Sequence, residues 1–275
     1  MLDMSATSLN TSRNPFSISP DPSYLYLTEA LHVLCDKVRF TLDERQGLSV
    51  VYGEVGHGKS TVMRHLYSEY HARADCTTVS LLTPKFSTEL GLLKAICGEF
   101  RLPIRHARIS QESELRDFLL SEYAAGRNCV LFVDEAQMMK GEVLELVRTL
   151  LNYETDSAKL INIILFAQLE LRDRLKDPSK KALRSRVFLY STLDPLSIDD
   201  TERMLEFRCE RARSDLTFEP DAVRLVYELS KGVPRDLLKI CETAWLFARR
   251  NKSPVVPAGL IEMAAEHVQI GHSDE

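Results

Sequence analysis

The eight residues Gly53-Glu-Val-Gly-His-Gly-Lys-Ser60 constrain this chain more than any other segment. They fit the pattern GxxxxGK[ST] and stand between a short apolar run, Gly47-Leu-Ser-Val-Val-Tyr-Gly53, and a helical pattern over Ser60–Ala74. A strand before and a helix after is the context in which this pattern binds phosphate. Its glycines let backbone N–H groups wrap phosphate oxygens, and the helix N-terminus adds positive potential. The spacing assigns Gly53, Glu54, Val55, Gly56, His57, Gly58, Lys59, Ser60 and Thr61 to ATP binding. Lys59 is expected to bridge the β- and γ-phosphates and Ser60 to ligate Mg²⁺. His57 fills a variable position of the pattern and needs no catalytic role.

The rest of the chain supplies a fold for such a loop. Helical patterns over Glu29–Leu42, Glu89–Phe100, Glu112–Ala125 and Glu142–Asn152 alternate with strand patterns over Thr77–Thr83, Asn128–Asp134, Leu160–Ala167 and Val187–Leu193. Short apolar strands alternating with helices predict a parallel sheet covered on both faces. After Pro195 the patterns over Ile198–Arg213, Pro220–Ser230, Arg235–Arg249 and Pro257–Val268 are all helical, with no strand among them. The 275 residues correspond to about 1.8 domains at ~150 residues each. The expected organisation is a flexible tail over 1–13, an α/β domain over 14–195 and a small all-helical lid over 196–270.

Composition removes other classes. Hydrophobic residues at 44% and charged residues at 27% are globular values, which exclude a disordered or fibrous chain. A net charge of −5 leaves no global basic field, so any nucleic-acid contact must come from a local patch. The six cysteines never approach a metal-binding spacing and read as free thiols of a reducing, cytoplasmic setting. The N-terminus lacks the apolar core of a signal peptide. Leu160–Ala167, the longest apolar stretch, is eight residues and interrupted by Asn162, whereas a membrane span needs ~20.

Val130-Leu-Phe-Val-Asp134-Glu135 carries the second half of the chemistry. Four apolar strand residues followed by two carboxylates put Asp134 at a strand's C-terminal end, where open α/β sheets bind ligands. Asp134 is expected to hold Mg²⁺ and Glu135 to act as the general base on the attacking water.

With the phosphate loop, Asp134-Glu-Ala-Gln137 and the α/β-then-helical layout in place, the chain resembles an AAA+ ATPase. Five segments resemble the ExeA/TniB-type members, a group active in secretion and in transposition. They are Asn14-Pro-Phe with Pro20-Asp-Pro-Ser-Tyr-Leu-Tyr26, Gly53-Glu-Val-Gly, Leu151-Asn-Tyr-Glu-Thr-Asp156, Ala167-Gln-Leu-Glu-Leu171 and Gly232-Val-Pro-Arg235. The resemblance implies further roles. Gln168, just past a strand, becomes the polar sensor of water or γ-phosphate, although the flanking Ala167 and Leu169 stand where relatives have Gly and Pro. Arg235 becomes the lid arginine that touches the γ-phosphate. Arg184 or Arg186 becomes the finger that completes a neighbour's site, and Tyr24 lines the adenine pocket.

One further cluster stands out. Arg101-Leu-Pro-Ile-Arg105-His106-Ala-Arg108 holds three arginines and a histidine without an acid. It reads either as a solvated loop or as a DNA phosphate contact repeated around a ring or filament. The expected function is therefore a self-assembling, Mg²⁺-dependent ATPase that acts on DNA without sequence preference as a transposition regulator and recruits a transposase or adaptor. The alternative is an accessory ATPase of a secretion or pilus-assembly system. The absence of sequence beyond the lid favours the first, because secretion relatives of this type continue past it.

Overall fold

The structure is a computed structural model that describes residues 13–268. The expected tail and the last residues of the lid fall outside those described, Arg13 apart. The described residues divide into two compact units, one made of Glu29–Val55 with Lys59–Leu193, the other of 13–28, Gly56–Gly58 and 194–268.

The first unit is a five-stranded sheet in the order β2-β3-β4-β1-β5. Its strands are β1 (Leu48–Gly53), β2 (Cys76–Leu81), β3 (Asn128–Val133), β4 (Ile161–Ala167) and β5 (Val187–Leu193). Every neighbouring pair is parallel. The three central strands β1, β3 and β4 are buried along their whole length, as strands covered on both faces must be. On the edge strand β5, buried or half-buried positions alternate with exposed ones. Helices α1 (Glu29–Asp43), α2 (Lys59–His71), α3 (Glu89–Glu99), α4 (Arg108–Ala124), α5 (Gly141–Leu150), α6 (Leu169–Lys176) and α7 (Lys181–Arg184) belong to this unit. The polar interruption at Asn162 is satisfied inside the sheet. Its Oδ1 accepts from the Gly47 N–H at 2.9 Å, and its Nδ2 donates to Asn128 Oδ1 at 2.8 Å. Asn128 Nδ2 passes the chain of bonds to Leu42 O at 2.7 Å. A buried amide costs little when its donors and acceptors are all paired in this way.

The second unit is built on α8 (Ile198–Ala212), α9 (Pro220–Ser230), α10 (Pro234–Arg250) and α11 (Ala258–Ala265). It adds two details to the sequence reading. First, it is not purely helical: β6 (Thr217–Phe218) and β7 (Val255–Val256) form a two-residue parallel pair. Runs that short carry no periodicity to detect. Second, residues 13–28 belong to this unit. Phe16 is fully buried, edge-on to Phe218, and the buried Arg208 guanidinium donates to Pro15 O, Tyr24 O and Ser17 O at 2.7, 2.9 and 2.9 Å. Three carbonyls on one cation fasten that segment to α8. Gly232 closes the turn before α10 at φ +73°, and a Cβ there would lie 2.2 Å from Leu196 O, so no other residue fits.

Two elements of the first unit went unseen in the sequence. Helix α6 reads Leu-Glu-Leu-Arg-Asp-Arg-Leu-Lys and buries only Leu171 and Leu175, too thin a stripe to stand out from its charges. Its end and α7 occupy part of what reads as a polar loop over Lys176–Lys181. Helix α4 starts at Arg108, four residues before the apolar pattern does. All six cysteines are free thiols, as the spacing predicts.

Candidate active site

The chemistry gathers at the C-terminal ends of β1, β3 and β4. Strand β1 ends at Gly53, and α2 begins at Lys59, so the loop between them is anchored by two regular elements. Lys59 is only 6% exposed, and its Nζ donates to Gly53 O at 2.8 Å and Glu54 O at 3.0 Å. These bonds curl the side chain back over the loop it must serve. Gly56 and Gly58 both hold positive φ, +87° and +89°, which only glycine adopts freely. Within the second unit, Gly56 O accepts from the Arg235 N–H at 3.2 Å, and Val233 and Arg235 stand where a Gly56 Cβ would go. Glu54 and Val55 are exposed, while His57 and Thr61 are half-buried.

Next to Lys59, Ser60 Oγ donates to Asp134 Oδ2 at 2.6 Å, joining the loop to the end of β3. Asp134 is 5% exposed, and burial holds its carboxyl above the ordinary range against the opposing pull of the Ser60 hydroxyl and the Glu135 N–H. A hydroxyl and a buried carboxylate in contact form the hard-oxygen pair that Mg²⁺ prefers, and a cation there would relieve the cost of the buried charge. The residues therefore fit the metal the sequence implies.

Glu135 follows in a left-handed conformation, φ 51° and ψ 37°, which costs a non-glycine residue about 1 kcal/mol or more. Two amides reach its Oε2: Gln137 Nε2 at 2.5 Å and Gln168 Nε2 at 3.4 Å. Gln168, the N-cap residue of α6, also donates its backbone N–H to Gln137 Oε1 at 3.1 Å. Arg174, from α6, fixes the loop beneath by donating to Gln137 O at 2.6 Å and Met139 O at 2.5 Å. The structure thus brings Lys59, Ser60, Asp134, Glu135 and Gln168 together. It adds Gln137 and Arg174, which sequence reasoning left without roles. Gln137 carried a signal, standing two residues after Glu135; Arg174 carried none, since it lies on the helix the pattern hid.

The other expected residues belong to different parts of the chain. Tyr24 lies in the second unit, half-buried, with the Arg208 guanidinium 5.1 Å over its ring. Arg235 is exposed in the first turn of α10. Arg184 donates to Lys176 O at 3.0 Å and Leu175 O at 3.4 Å, binding the carbonyl end of α6, while Arg186 is half-buried one residue before β5. The basic segment is not acid-free in three dimensions. Arg105 pairs with Glu114 at 2.9 Å, and Arg108 pairs with Glu112 at 2.7 Å and with Glu89. Arg101 is exposed at φ 59°. No described helix is long and apolar enough to cross a membrane.

Residues 42–175 match the AAA domain family. Over 267 residues the chain is 38% identical to General secretion pathway protein A of Aeromonas hydrophila, covering 96% of this chain and 48% of that protein. The chain therefore spans about half the length of that relative. Among solved structures, the Aeropyrum pernix ORC2 protein in ADPNP–ADP complexes is similar at a TM-score of 0.72 and 18% identity, over 94% of this chain and 73% of that one. The Aeropyrum pernix ORC1 protein in complex with DNA gives 0.68 and 17%, over 93% and 69%. The Thermotoga maritima RuvB Holliday junction branch migration motor gives 0.57 and 14%, over 89% and 73%. At those identities the solved structures speak for the fold alone.

Proposed function

We propose that this chain is an AAA+ ATPase that hydrolyses ATP with Mg²⁺ at the ends of β1, β3 and β4 and uses the turnover as an assembly switch. The observation that carries the reading is the direct contact of Ser60 with Asp134, flanked by Lys59 and Glu135. Backbone N–H groups of the loop take the phosphate oxygens, and Lys59 exchanges its carbonyl partners for the β- and γ-phosphates. Ser60 and Asp134 would hold Mg²⁺, which would neutralise charge on the phosphate oxygens. Glu135 accepts a proton from the attacking water as its oxygen bonds to the γ-phosphorus. The bond to the bridging oxygen breaks, and ADP and phosphate leave. Gln168 orients the water or the γ-phosphate, and Arg235 keeps the nucleotide-reading role its motif implies. Arg184 is committed to the carbonyl end of α6, so Arg186 is our choice for the finger that enters a neighbouring subunit's site.

For the wider role we favour an accessory ATPase of a secretion or pilus-assembly system, on the strength of the 38% identity to a secretion-pathway protein. A DNA-acting transposition regulator that recruits a transposase or adaptor is the second reading. One observation favours it: Arg101, Arg105 and Arg108 all remain exposed, across the loop before α4 and its first residue.

The test is Glu135→Gln. It removes the proton acceptor and leaves Lys59, Ser60 and Asp134 intact, so ATP binding should persist while turnover falls about 10²-fold or more. Turnover near that of the wild type would remove Glu135 from the role of base.

A further inference from the structure

Hydrolysis needs Glu135 to hold one carboxylate oxygen ready for a water, yet a glutamate has three rotatable side-chain torsions. Something must fix its orientation. The side chain of Gln137 is a single planar amide with a different partner at each end. Its Nε2 donates to Glu135 Oε2 at 2.5 Å, and its Oε1 accepts from the backbone N–H of Gln168 at 3.1 Å. The chemistry of the partners fixes which way this amide points. A backbone N–H can only donate and a carboxylate oxygen accepts, so the flipped amide would set donor against donor and acceptor against acceptor.

The bridge is also held from below. Arg174 donates two bonds into the same short loop, to Gln137 O and Met139 O, and so fixes the backbone from which Gln137 springs. The loop needs such support because Glu135 sits in the left-handed region, where it stays only if its surroundings over-determine it. Both amides that reach Glu135, from Gln137 and from Gln168, bond to Oε2. Oε1 is the oxygen left to take the proton of a water.

We infer that Gln137 is the positioning residue of the general base: it ties the Glu135 carboxylate to the sensor residue Gln168, so that base and sensor turn as one unit. This rests on the reading of Glu135 as the base. It predicts a loss confined to the chemical step, because Gln137 bonds to Glu135 and to the Gln168 backbone and to none of Lys59, Ser60 and Asp134.

The experiment compares the full chain with Gln137→Ala, Gln137→Glu and Glu135→Gln, measuring ATP hydrolysis and the binding of a fluorescent ATP analogue over a range of pH. Gln137→Ala should lower kcat about tenfold or more with KM for ATP within about twofold, the mark of an interaction needed in the transition state and not for binding. Gln137→Glu keeps the shape but replaces the donor with a carboxyl, which repels Glu135 when ionised and donates to it when protonated. Its kcat relative to wild type should therefore recover as pH is lowered, whereas that of Gln137→Ala should not. A loop that is merely structural would not give this divergence. Wild-type kcat in both Gln137 variants, alongside a dead Glu135→Gln, overturns this inference and leaves the ATPase reading standing. Parallel loss of ATP binding and turnover in both variants, with no divergence in pH, also overturns it. A wild-type chain that hydrolyses no ATP defeats the ATPase reading, and this inference with it.

Discussion

Two regions of the first unit look alike as sequence and differ as structure. One is the cluster at the ends of β1, β3 and β4; the other is the loop from Arg101 into the start of α4 at Arg108. Both concentrate polar residues whose types suit phosphate. In the first, those residues turn toward one another: Ser60 meets Asp134, and Gln137 joins Glu135 to Gln168. In the second, the charges turn away to acids from elsewhere. Arg105 goes to Glu114 and Arg108 to Glu89 and Glu112, carboxylates that the eight-residue window does not contain. A motif whose spacing is tied to a strand end and a helix start keeps its meaning on folding. A cluster defined by composition alone does not, because folding supplies counter-charges the window cannot show.

The largest expected effect sharpens this contrast. Lys59→Ala deletes the charge meant for the β- and γ-phosphates and should weaken ATP binding by about 10- to 100-fold, the worth of one charged hydrogen bond. Arg105→Ala should leave that affinity unchanged. Titration of each variant with a fluorescent nucleotide decides it. Equal losses would erase the distinction between the two regions.

A smaller effect separates the metal site from ordinary packing. Burial raises the Asp134 carboxyl above its usual 3.8, so the fold prefers the protonated form. That preference stabilises the chain fully below pH 3.8 and is lost as pH climbs through the raised folded-state value, which leaves a buried charge as a cost at neutrality. Asp134→Asn should therefore melt no lower than wild type at pH 7 without ligand. It should nevertheless lose the stabilisation that Mg²⁺ and ATP together give the wild type, about 2.7 kcal/mol at a hundredfold excess over Kd. Thermal melts with and without Mg²⁺–ATP test both halves. A large ligand-free destabilisation would make Asp134 a structural residue.

The smallest effect belongs to the loop. Its ion pairs involve arginines that are 50% and 47% exposed, and exposed pairs contribute ~0–1 kcal/mol each. Replacing Arg101, Arg105 and Arg108 together with Ala should shift stability by about 1 kcal/mol and leave ATP turnover intact. If DNA is a partner, the triple variant should also lose a salt-sensitive, sequence-independent affinity for it, measurable by fluorescence anisotropy. A collapse in turnover would show that the loop supports the site after all.

The sequence alone determined the elements that carry strong local signals. Strand β5 spans the Val187–Leu193 predicted for it, and β1, β3 and β4 are the buried apolar runs they read as, because a strand covered on both faces has no choice of residues. The loop from Gly53 to Ser60 was legible because its glycine and lysine positions keep a fixed spacing between a strand end and a helix start. Tertiary structure alone decided the rest. Residues 13–28 join the C-terminal helices because Arg208 gathers three of their carbonyls from more than 180 positions away, and no local pattern encodes such a bond. Helix α6 forms on two buried leucines, and through it Arg174 reaches the loop that holds Gln137. Spacing along the chain fixes what a segment can be; which distant partner satisfies its polar groups is fixed only when the chain has closed on itself.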